Sequence, residues 1–255
     1  MTQDNNISVD LACDAGEAST PEGVTVERAI MERVTSVHIA CGGHAGDIAT
    51  IRRTIESALS LGLAIGAHPS YPDREGFGRR SVRISIDELR ASLQDQVALL
   101  AELAGEAGAE LVHLKPHGAL YHDASLRPEV ADAIAEVASA AGLLLVGAAG
   151  SRALELWRDA GLRVAPEGFA DRRYLADGSL RSRAEPDAMI ADPLAAADQA
   201  LKLALGEPIE LRDGVLRLDV RTICVHADTP GAAGLVGSVA DRLMQSGFRL
   251  LPPGR

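Results

Sequence analysis

Aromatic residues are scarce in this sequence and make up 3% of its 255 residues. Hydrophobic residues still account for 47% of the chain. A sizeable core must therefore be built from Ala, Leu, Val and Ile rather than from large rings. No linker or low-complexity tract divides the chain, so we expect one domain over residues 1–255.

Positive charge is also in short supply. Lys and Arg number 25 against 36 Asp and Glu, a net charge of −11. Such a surface repels phosphate backbones, so we expect no nucleic-acid partner. The sequence has no apolar run of the roughly 20 residues that a membrane helix needs and no signal-peptide pattern. With three cysteines and no CxxC spacing, we expect a cytoplasmic protein without membrane association.

Short apolar runs alternate with longer segments of helical period. Strands are predicted at 7–12, 35–40, 63–67, 111–115, 143–148, 162–167 and 221–225. Helices are predicted at 22–34, 47–62, 86–107, 128–141, 151–160, 192–205 and 232–246. This alternation predicts a parallel sheet in a seven-stranded, TIM-like β/α barrel, with an open doubly wound sheet as the alternative. Residues 209–220 alternate with period two around Arg-Asp-Gly and predict a hairpin.

The distinctive polar motifs follow the carboxyl ends of the predicted strands. They are CDAGE, CGGHAGD, HPSYPDREGFGRR, PHGALYHD, GFADRRY and HADTPGA. A β/α barrel places its active site in these loops, so we expect the motifs to form one polar pocket. Any single one of these residues can instead be a turn, cap or core residue. Seven histidines on strands or strand ends are harder to explain in that way.

Seven motifs, in order, resemble the LamB/YcsF family. They are DLACDAGE (10–17), HIACGGHAGD (38–47), IGAHPSYPDREGFGRR (65–80), HLKPHGALY (113–121), EGFADRRY (167–174), DGSLRSR (177–183) and ICVHADTPGA (223–232). The resemblance implies a barrel similar to that of polysaccharide deacetylases. It also implies the A subunit of an ATP-dependent 5-oxoprolinase, which opens the lactam of 5-oxo-L-proline to L-glutamate together with B and C subunits. The chain has no GxxxxGK[ST] loop, so we expect ATP to be handled with those partners.

Three positions depart from the family pattern. Ala12 and His38 stand where the family usually has Asn, and Gly43 stands where it usually has Phe. By strand parity both Ala12 and His38 are expected to line the pocket. The expectation is that His38 fills the space vacated at position 12, which leaves the exact substrate open.

Lactam hydrolysis needs a base for water, an oxyanion stabiliser and an acid for the departing nitrogen. The predicted catalytic residues are Asp14, His44, Lys115 and His117, with Asp14 and His44 as a base and its partner or as metal ligands. The predicted substrate-binding residues are Glu17, His68, Arg79, Asp171, Arg172 and His226. Arg79 and Arg172 are expected to grip a carboxylate or phosphate, oriented by Asp171 and Glu17. His226 and Asp228 are expected to close the ring of loops.

A divalent metal is the remaining question. Asp14, His44 and His68 are the candidate ligands, because mixed N/O sites can be assembled from separate strands. No HExxH motif is present, and on balance the sequence favours a site without a metal. Three other functions stay open: a stand-alone metal-dependent deacetylase or amidohydrolase, a lyase using Lys115 as a Schiff base, and a noncatalytic lactam-binding subunit.

Overall fold

A closed ring of parallel strands forms the centre of the protein. The computed structural model describes residues 7–212, 214–227, 229 and 231–254. Its strands are β1 (Ser8–Ala15), β2 (Ser36–Ala40), β3 (Ala64–His68), β4 (Leu111–Leu114), β5 (Leu144–Ala148), β6 (Val164–Phe169), β7 (Ile209–Leu211), β8 (Gly214–Leu216), β9 (Thr222–Cys224) and β10 (Arg249–Leu250). Its helices are α1 (Pro21–Met31), α2 (Ile48–Leu61), α3 (Ile86–Glu106), α4 (Gly118–Leu126), α5 (Pro128–Ala140), α6 (Arg152–Asp159), α7 (Pro193–Leu205) and α8 (Ala232–Gln245).

Seven of the strands close into a barrel. They pair in the order β1, β2, β3, β4, β5, β6, β9, and β9 returns to pair with β1. Every one of these pairings is parallel. The predicted seven-stranded β/α barrel is therefore confirmed, and the open doubly wound alternative is wrong. None of the helices in the described part of the chain is long and apolar enough to span a membrane.

All seven predicted strands are present, and the predicted hairpin is β7 paired antiparallel with β8. Its turn residue Asp213 lies outside the described residues. Two elements were not predicted. Helix α4 begins directly after His117, and its apolar residues do not fall on one face, so no periodic signal marks it. Strand β10 has only two residues and pairs with the start of β1.

Helix α2 shows why the helices begin and end where they do. The Asp47 side chain accepts a hydrogen bond from the Thr50 N–H at 2.7 Å and caps the first turn. Gly62, at φ 70°, takes the left-handed conformation that ends the helix. Ile51 and Ile55 are fully buried on the face toward the barrel. The cap places the HAGD turn, with His44, at the top of β2.

One polar network lies inside the otherwise apolar seam between β1, β2 and β9. The Asp10 carboxylate accepts hydrogen bonds from the hydroxyls of Thr222 at 2.6 Å, Thr35 at 2.8 Å, and Ser36 at 2.8 and 2.9 Å. Asp10 is 1% exposed. Burial raises its pKa to about 6, although the three hydroxyls act in the opposite direction.

This network predicts that Asp10→Asn changes the pH dependence of unfolding. A carboxyl whose pKa rises from its ordinary 3.8 to about 6 on folding stabilises the protein most below pH 3.8. That contribution, roughly 3 kcal/mol at 1.36 kcal/mol per pH unit, is lost as the pH rises through about 6. The variant lacks this loss. Its free energy of unfolding, from urea titrations at pH 4, 5, 6 and 7, should therefore improve relative to wild type as the pH rises.

Asp219→Asn is the matched control, because Asp219 has an 82% exposed side chain. Its difference from wild type should stay constant over the same pH range. A constant difference for Asp10→Asn as well would mean that the three hydroxyls hold Asp10 ionised, and would contradict the prediction.

Candidate active site

A cavity opens at the carboxyl ends of the barrel strands. Its volume is about 340 Å³. It is lined by Asp14, Glu17, His68, Arg79, Lys115, Pro116, His117, Gly118, Ala119, Tyr121, His122, Phe169, Arg172, Leu180, Arg181, Ser182, Arg183, His226 and Ala227. These residues come from β1, β3, β4, β6 and β9 or from the segments that follow them. The predicted convergence of the strand-end motifs on one pocket is thus seen in the geometry.

A buried lysine forms the floor of the cavity. Lys115, one of only two lysines in the chain, is 3% exposed. Its Nζ lies 2.9 Å from both Asp14 Oδ1 and Glu167 Oε1, and 3.3 Å from Cys224 Sγ. Glu167 Oε2 also accepts a hydrogen bond from the Tyr121 hydroxyl at 2.7 Å. One ammonium therefore joins three strands across the top of the barrel.

The charges of this group are fixed by their mutual contacts. Burial alone would lower the pKa of Lys115, but the carboxylates of Asp14 and Glu167 hold it well above its usual value. Burial would likewise raise the pKa of Asp14, whereas the neighbouring His68 ring and the Lys115 ammonium hold it well below its usual range. At neutral pH Lys115 is therefore an ammonium and Asp14 a carboxylate.

Beside this group lie three histidines and Glu17. His44 Nε2 contacts Glu17 Oε1 at 2.9 Å, and His117 Nδ1 contacts His68 Nε2 at 3.0 Å. The rings of His44 and His117 stack with centroids 3.6 Å apart. Burial lowers the pKa of both His44 and His117 to about 2, and the neighbouring His68 ring acts in the same direction. Both rings are therefore neutral at physiological pH.

The turn at Phe77 and Gly78 fixes His117 from the rim. Phe77 is the one non-glycine residue in the described part of the chain with positive φ, at 53°, a conformation that costs a bulky side chain energy. It directs the Phe77 carbonyl at His117 Nε2, 2.9 Å away. A Cβ on Gly78 would lie 2.9 Å from both His44 and His117. The GFG segment thus needs glycine at position 78 for close approach to the histidines.

Helix α1 positions Glu17 through a second carboxylate. Glu27, on α1, is 6% exposed. Its Oε1 accepts hydrogen bonds from the backbone N–H groups of Glu17 at 3.1 Å and Ala18 at 3.3 Å. Burial raises the pKa of Glu27 above its ordinary value. The turn that carries Glu17 toward the histidines is therefore held from behind by a buried side chain.

On the β6 and β9 side, Asp171 orients His226. The His226 ring Nδ1 lies 3.0 and 3.1 Å from the two Asp171 oxygens, and its backbone N–H donates to Oδ2 at 3.1 Å. The Thr229 hydroxyl donates to the same oxygen. Interaction with the His226 ring and these hydrogen bonds outweigh burial and lower the pKa of Asp171. The side chain of His226 is 16% exposed, so its ring edge is open to the cavity.

Cationic side chains surround the mouth of the cavity. Arg79 lies over the Phe77 ring with its guanidinium carbon 5.0 Å from the centroid. Arg172 is 5% exposed, and its Nη2–H donates to the Arg181 carbonyl at 2.7 Å. Arg181 and Arg183 also line the cavity. The mouth is therefore suited to an anionic ligand, although the protein as a whole is acidic.

All ten residues predicted as catalytic or substrate-binding lie at this end of the barrel, but two expected contacts were wrong. His44 contacts Glu17, not Asp14, because Asp14 is engaged by Lys115 and His38. Asp171 orients His226 and Thr229 rather than an arginine. His44 and Asp171 lie behind the cavity wall, while the other eight predicted residues line it. Asp228 falls outside the described residues.

The departures from the family pattern lie below the cavity. Neither Ala12 nor His38 lines it, contrary to the prediction from strand parity, and both are fully buried. His38 Nδ1 lies 2.9 Å from Asp14 Oδ1, and its ring meets His113 edge-on at 4.9 Å. At Gly43 a Cβ would lie 2.4 Å from the Gln96 side chain. These positions therefore act on the site from beneath, through Asp14 and the packing of the β2 loop.

Sequence reasoning missed two contributors, Glu167 and Glu27. Glu167 lies at the carboxyl end of a predicted strand, which is the position by which the other site residues were chosen. The sequence therefore contained a signal for it. Glu27 had none, because an acidic residue on an amphipathic helix reads as solvent-exposed. His113 and His117 have HxxxH spacing, yet His113 packs below the cavity against Gly66 and His38, apart from the other site histidines.

Among the described residues, two groups of side chains have donor atoms within 4.8 Å of one another, close enough to hold a metal ion. One is Glu17, His44, His68 and His117, and the other is Asp14, Cys224 and His226. The predicted trio of Asp14, His44 and His68 is therefore divided between them. In the second group Asp14 is already paired with Lys115, and burial raises the pKa of the Cys224 thiol well above its usual value. The first group is the better ligand set.

Comparison with known proteins covers nearly the whole chain. The sequence model of the LamB/YcsF family matches residues 9–255. The chain belongs to the LamB/YcsF family. Among LamB/YcsF relatives it is 43% identical over 252 residues to the A subunit of the 5-oxoprolinase of Chloroflexus aurantiacus, covering 98% of this chain and 100% of that one.

Solved structures agree on the fold. The lactam utilization protein of Thermus thermophilus is 37% identical, with a TM-score of 0.88 over 96% of this chain and 99% of that one. A family 4 carbohydrate esterase from Streptomyces lividans is 11% identical, with a TM-score of 0.52 over 96% of this chain and 92% of that one. The second comparison speaks for a shared fold alone, and it confirms the expected likeness between the LamB/YcsF barrel and deacetylase-type barrels.

The floor of the cavity predicts a large, pH-dependent effect of Lys115→Met. Removing the ammonium leaves the buried carboxylates of Asp14 and Glu167 facing each other, which should cost about 3–5 kcal/mol of folding free energy at pH 7. Without Lys115 the pKa of Asp14 in the folded protein rises, so the loss should shrink toward pH 5 as Asp14 takes up a proton. Denaturant titrations at both pH values measure this.

The chain's other lysine supplies the control. Lys202→Met, on α7, should change the free energy of unfolding little at either pH. A loss for Lys115→Met that is small, or equal at pH 5 and pH 7, would show that the two carboxylates do not depend on the ammonium.

Proposed function

We propose that this protein is the A subunit of an ATP-dependent 5-oxoprolinase, a hydrolase that opens the lactam of 5-oxo-L-proline to L-glutamate. The observation that carries the proposal is the Lys115 ammonium, held in charge between Asp14 and Glu167 on the floor of a cavity with an arginine-lined mouth. A ring carbonyl at the floor and a carboxylate at the mouth match that polarity. The names of the 5-oxoprolinase and lactam-utilization relatives support the same substrate.

The roles follow from position in the cavity. Lys115 stabilises negative charge on the lactam oxygen, or a phosphoryl group transferred to it. Glu17, whose side chain is 17% exposed against 9% for Asp14, is the carboxylate that reaches water and, with His44 and His117, activates it for attack. Attack on the carbonyl carbon and cleavage of the C–N bond leave an amine.

His226 completes the proton transfers. With Nδ1–H donated to Asp171, the ring presents Nε2 to the cavity and can pass a proton to the departing nitrogen. Arg79 and Arg172 bind the substrate carboxylate from the mouth. Asp171 and Glu27 are positioning residues that act through His226 and through the turn at Glu17.

ATP enters through the partners in this proposal. The sequence has no phosphate-binding loop of the GxxxxGK[ST] type, and a stabilised amide needs an activated oxygen before water attacks it readily. The B and C subunits of the complex supply or complete the nucleotide site. The exposed arginine-lined mouth is the face at which the activated lactam is exchanged or formed.

A stand-alone metal-dependent amidohydrolase is the second candidate function. It is favoured by the Glu17 and histidine group, which can hold a cation. The lyase alternative is disfavoured, because a lysine kept charged by two carboxylates is a poor nucleophile for a Schiff base. A noncatalytic binding role is left to the experiments that follow.

Reconstitution separates these functions. The purified chain, mixed with candidate B and C subunits, 5-oxo-L-proline and ATP, should yield glutamate and inorganic phosphate in equal amounts, measured by amino-acid analysis and a phosphate assay. Omitting ATP, or either partner, should abolish glutamate formation. Glutamate from the chain alone would contradict the proposal in favour of the stand-alone hydrolase. Full activity of Lys115→Met in the complex would assign it a noncatalytic role.

Arg79→Met tests the binding orientation in the reconstituted complex. Loss of a charged hydrogen bond to the substrate carboxylate should raise KM for 5-oxo-L-proline by about 10–100-fold. Binding of 2-pyrrolidinone, which has the lactam without the carboxylate, should be unchanged when it is measured as competitive inhibition. Arg83→Met, an exposed arginine outside the cavity, is the control. If Arg79→Met weakened the binding of both ligands equally, the assignment of Arg79 to the substrate carboxylate would be contradicted.

A further inference from the structure

Four donor atoms converge at one edge of the cavity, beside the Lys115 floor. Glu17 Oε1 lies 2.9 Å from His44 Nε2, 3.4 Å from His117 Nδ1 and 3.9 Å from His68 Nε2. His68 Nε2 and His117 Nδ1 are 3.0 Å apart. Ligands of one ion with bonds of about 2.0–2.1 Å are separated by roughly 2.9 Å at right angles and 3.4 Å in a tetrahedron. Three of the four observed separations fall within that range, and the Glu17–His68 separation of 3.9 Å is wider.

Hydrogen-bond accounting shows that the closest pair of histidines needs a proton or a metal ion between its facing nitrogens. His68 Nδ1 lies 2.7 Å from the Lys115 carbonyl, and His117 Nε2 lies 2.9 Å from the Phe77 carbonyl. A carbonyl only accepts, so each of these nitrogens carries the proton of its neutral ring. The two nitrogens that face each other at 3.0 Å therefore both present lone pairs. Such an arrangement is stable only with positive charge between or beside them.

We propose that Glu17, His44, His68 and His117 bind one divalent transition-metal ion of the zinc type. Three imidazole nitrogens and one carboxylate oxygen suit Zn²⁺ or its neighbours in the first transition row, whereas Mg²⁺ prefers an all-oxygen shell. The two ring N–H groups held by backbone carbonyls are the outer contacts that orient histidine ligands.

The ligand set also has a predicted order of importance. His68 and His117 are fixed by those carbonyls, and Glu17 is fixed through Glu27. His44 is different, because its Nδ1 is buried without a hydrogen-bond partner among the described atoms. We therefore expect His44 to contribute least to the affinity. Since Glu17, His68 and His117 line the cavity, a bound ion there would be able to lower the pKa of a coordinated water.

The sequence favoured a site without a metal and named Asp14, His44 and His68 as the candidate ligands, whereas the geometry supports a different set. Asp14, one of the predicted ligands, is engaged by Lys115 and His38, although its Oδ2 stays 3.4 Å from His68 Nε2. Glu17 and His117 take its place. The exchange was hidden from the sequence, because Glu17 lies beyond the end of β1 and reaches the histidines only through the turn held by Glu27.

Metal binding to the full chain tests the inference. The protein, freed of metal by chelator and dialysis, is titrated with Zn²⁺ by calorimetry, and metal content is measured by mass spectrometry after gel filtration. One ion per chain is expected. Glu17→Gln should weaken binding by at least about 100-fold, more than the 10–100-fold typical of an outer contact. His44→Asn should weaken it less than Glu17→Gln. His122→Asn removes a cavity histidine outside the cluster and should leave binding unchanged.

Circular dichroism and thermal unfolding of each metal-free variant show whether it is folded, so that lost binding is not confused with lost structure. Binding of Co²⁺ gives an independent signal, because a four-coordinate site absorbs strongly in the visible and Glu17→Gln should abolish that band. Failure of the wild-type chain to bind Zn²⁺ stoichiometrically would overturn the inference and leave an extra proton on the His68–His117 pair. So would binding equal in wild type and Glu17→Gln.

This experiment is independent of the proposed reaction. It uses neither lactam nor ATP nor partner subunits, so a protein that binds Zn²⁺ but forms no glutamate would contradict only the proposed function. If the wild-type chain binds no Zn²⁺ but still forms glutamate with its partners, only the metal site is contradicted.

Discussion

The buried ion pair network at Lys115 is the interaction on which the rest of the site depends. Burying one ammonium and two carboxylates is costly unless each charge is matched. Here Lys115 follows β4, Asp14 belongs to β1 and Glu167 belongs to β6, so the match is made only when the barrel closes. Closure of the fold and formation of the charged floor are therefore the same event.

The composition of the chain fits that arrangement. With few aromatics, the layer between strands and helices is filled by small and branched aliphatic residues, as on the buried face of α2. Inside the barrel, by contrast, polar side chains lie at successive levels along the strands. Asp10 and its hydroxyl partners lie lowest along β1, Asp14 with His38 and Lys115 lies above, and Glu17 with the histidines lies at the rim. The charged and titratable side chains are therefore concentrated toward the end of the barrel where ligands enter.

The fold and the membership of the site could be predicted from sequence, because both follow from strand order. Periodicity located all seven barrel strands, and the rule that strand ends share one edge of a barrel gathered the ten chosen residues. The pairings within the site could not be predicted in this way. Whether His44 meets Asp14 or Glu17 depends on a turn after β1, on Gly16 at φ 76°, and on a carboxylate from α1. These are tertiary contacts without local pattern, and helix α4 was missed for the same reason.

The floor and the rim of the cavity differ in how they provide positive charge. Lys115 supplies fixed positive charge that cannot easily be withdrawn, because two carboxylates hold its proton. At the rim, the facing nitrogens of His68 and His117 need a bound proton or cation between them. A carbonyl placed between them would meet one permanent cation and one site whose charge depends on what is bound. A site of that kind is inert until it is loaded, which suits the proposed role in opening a stable amide with a driving force supplied by partner subunits.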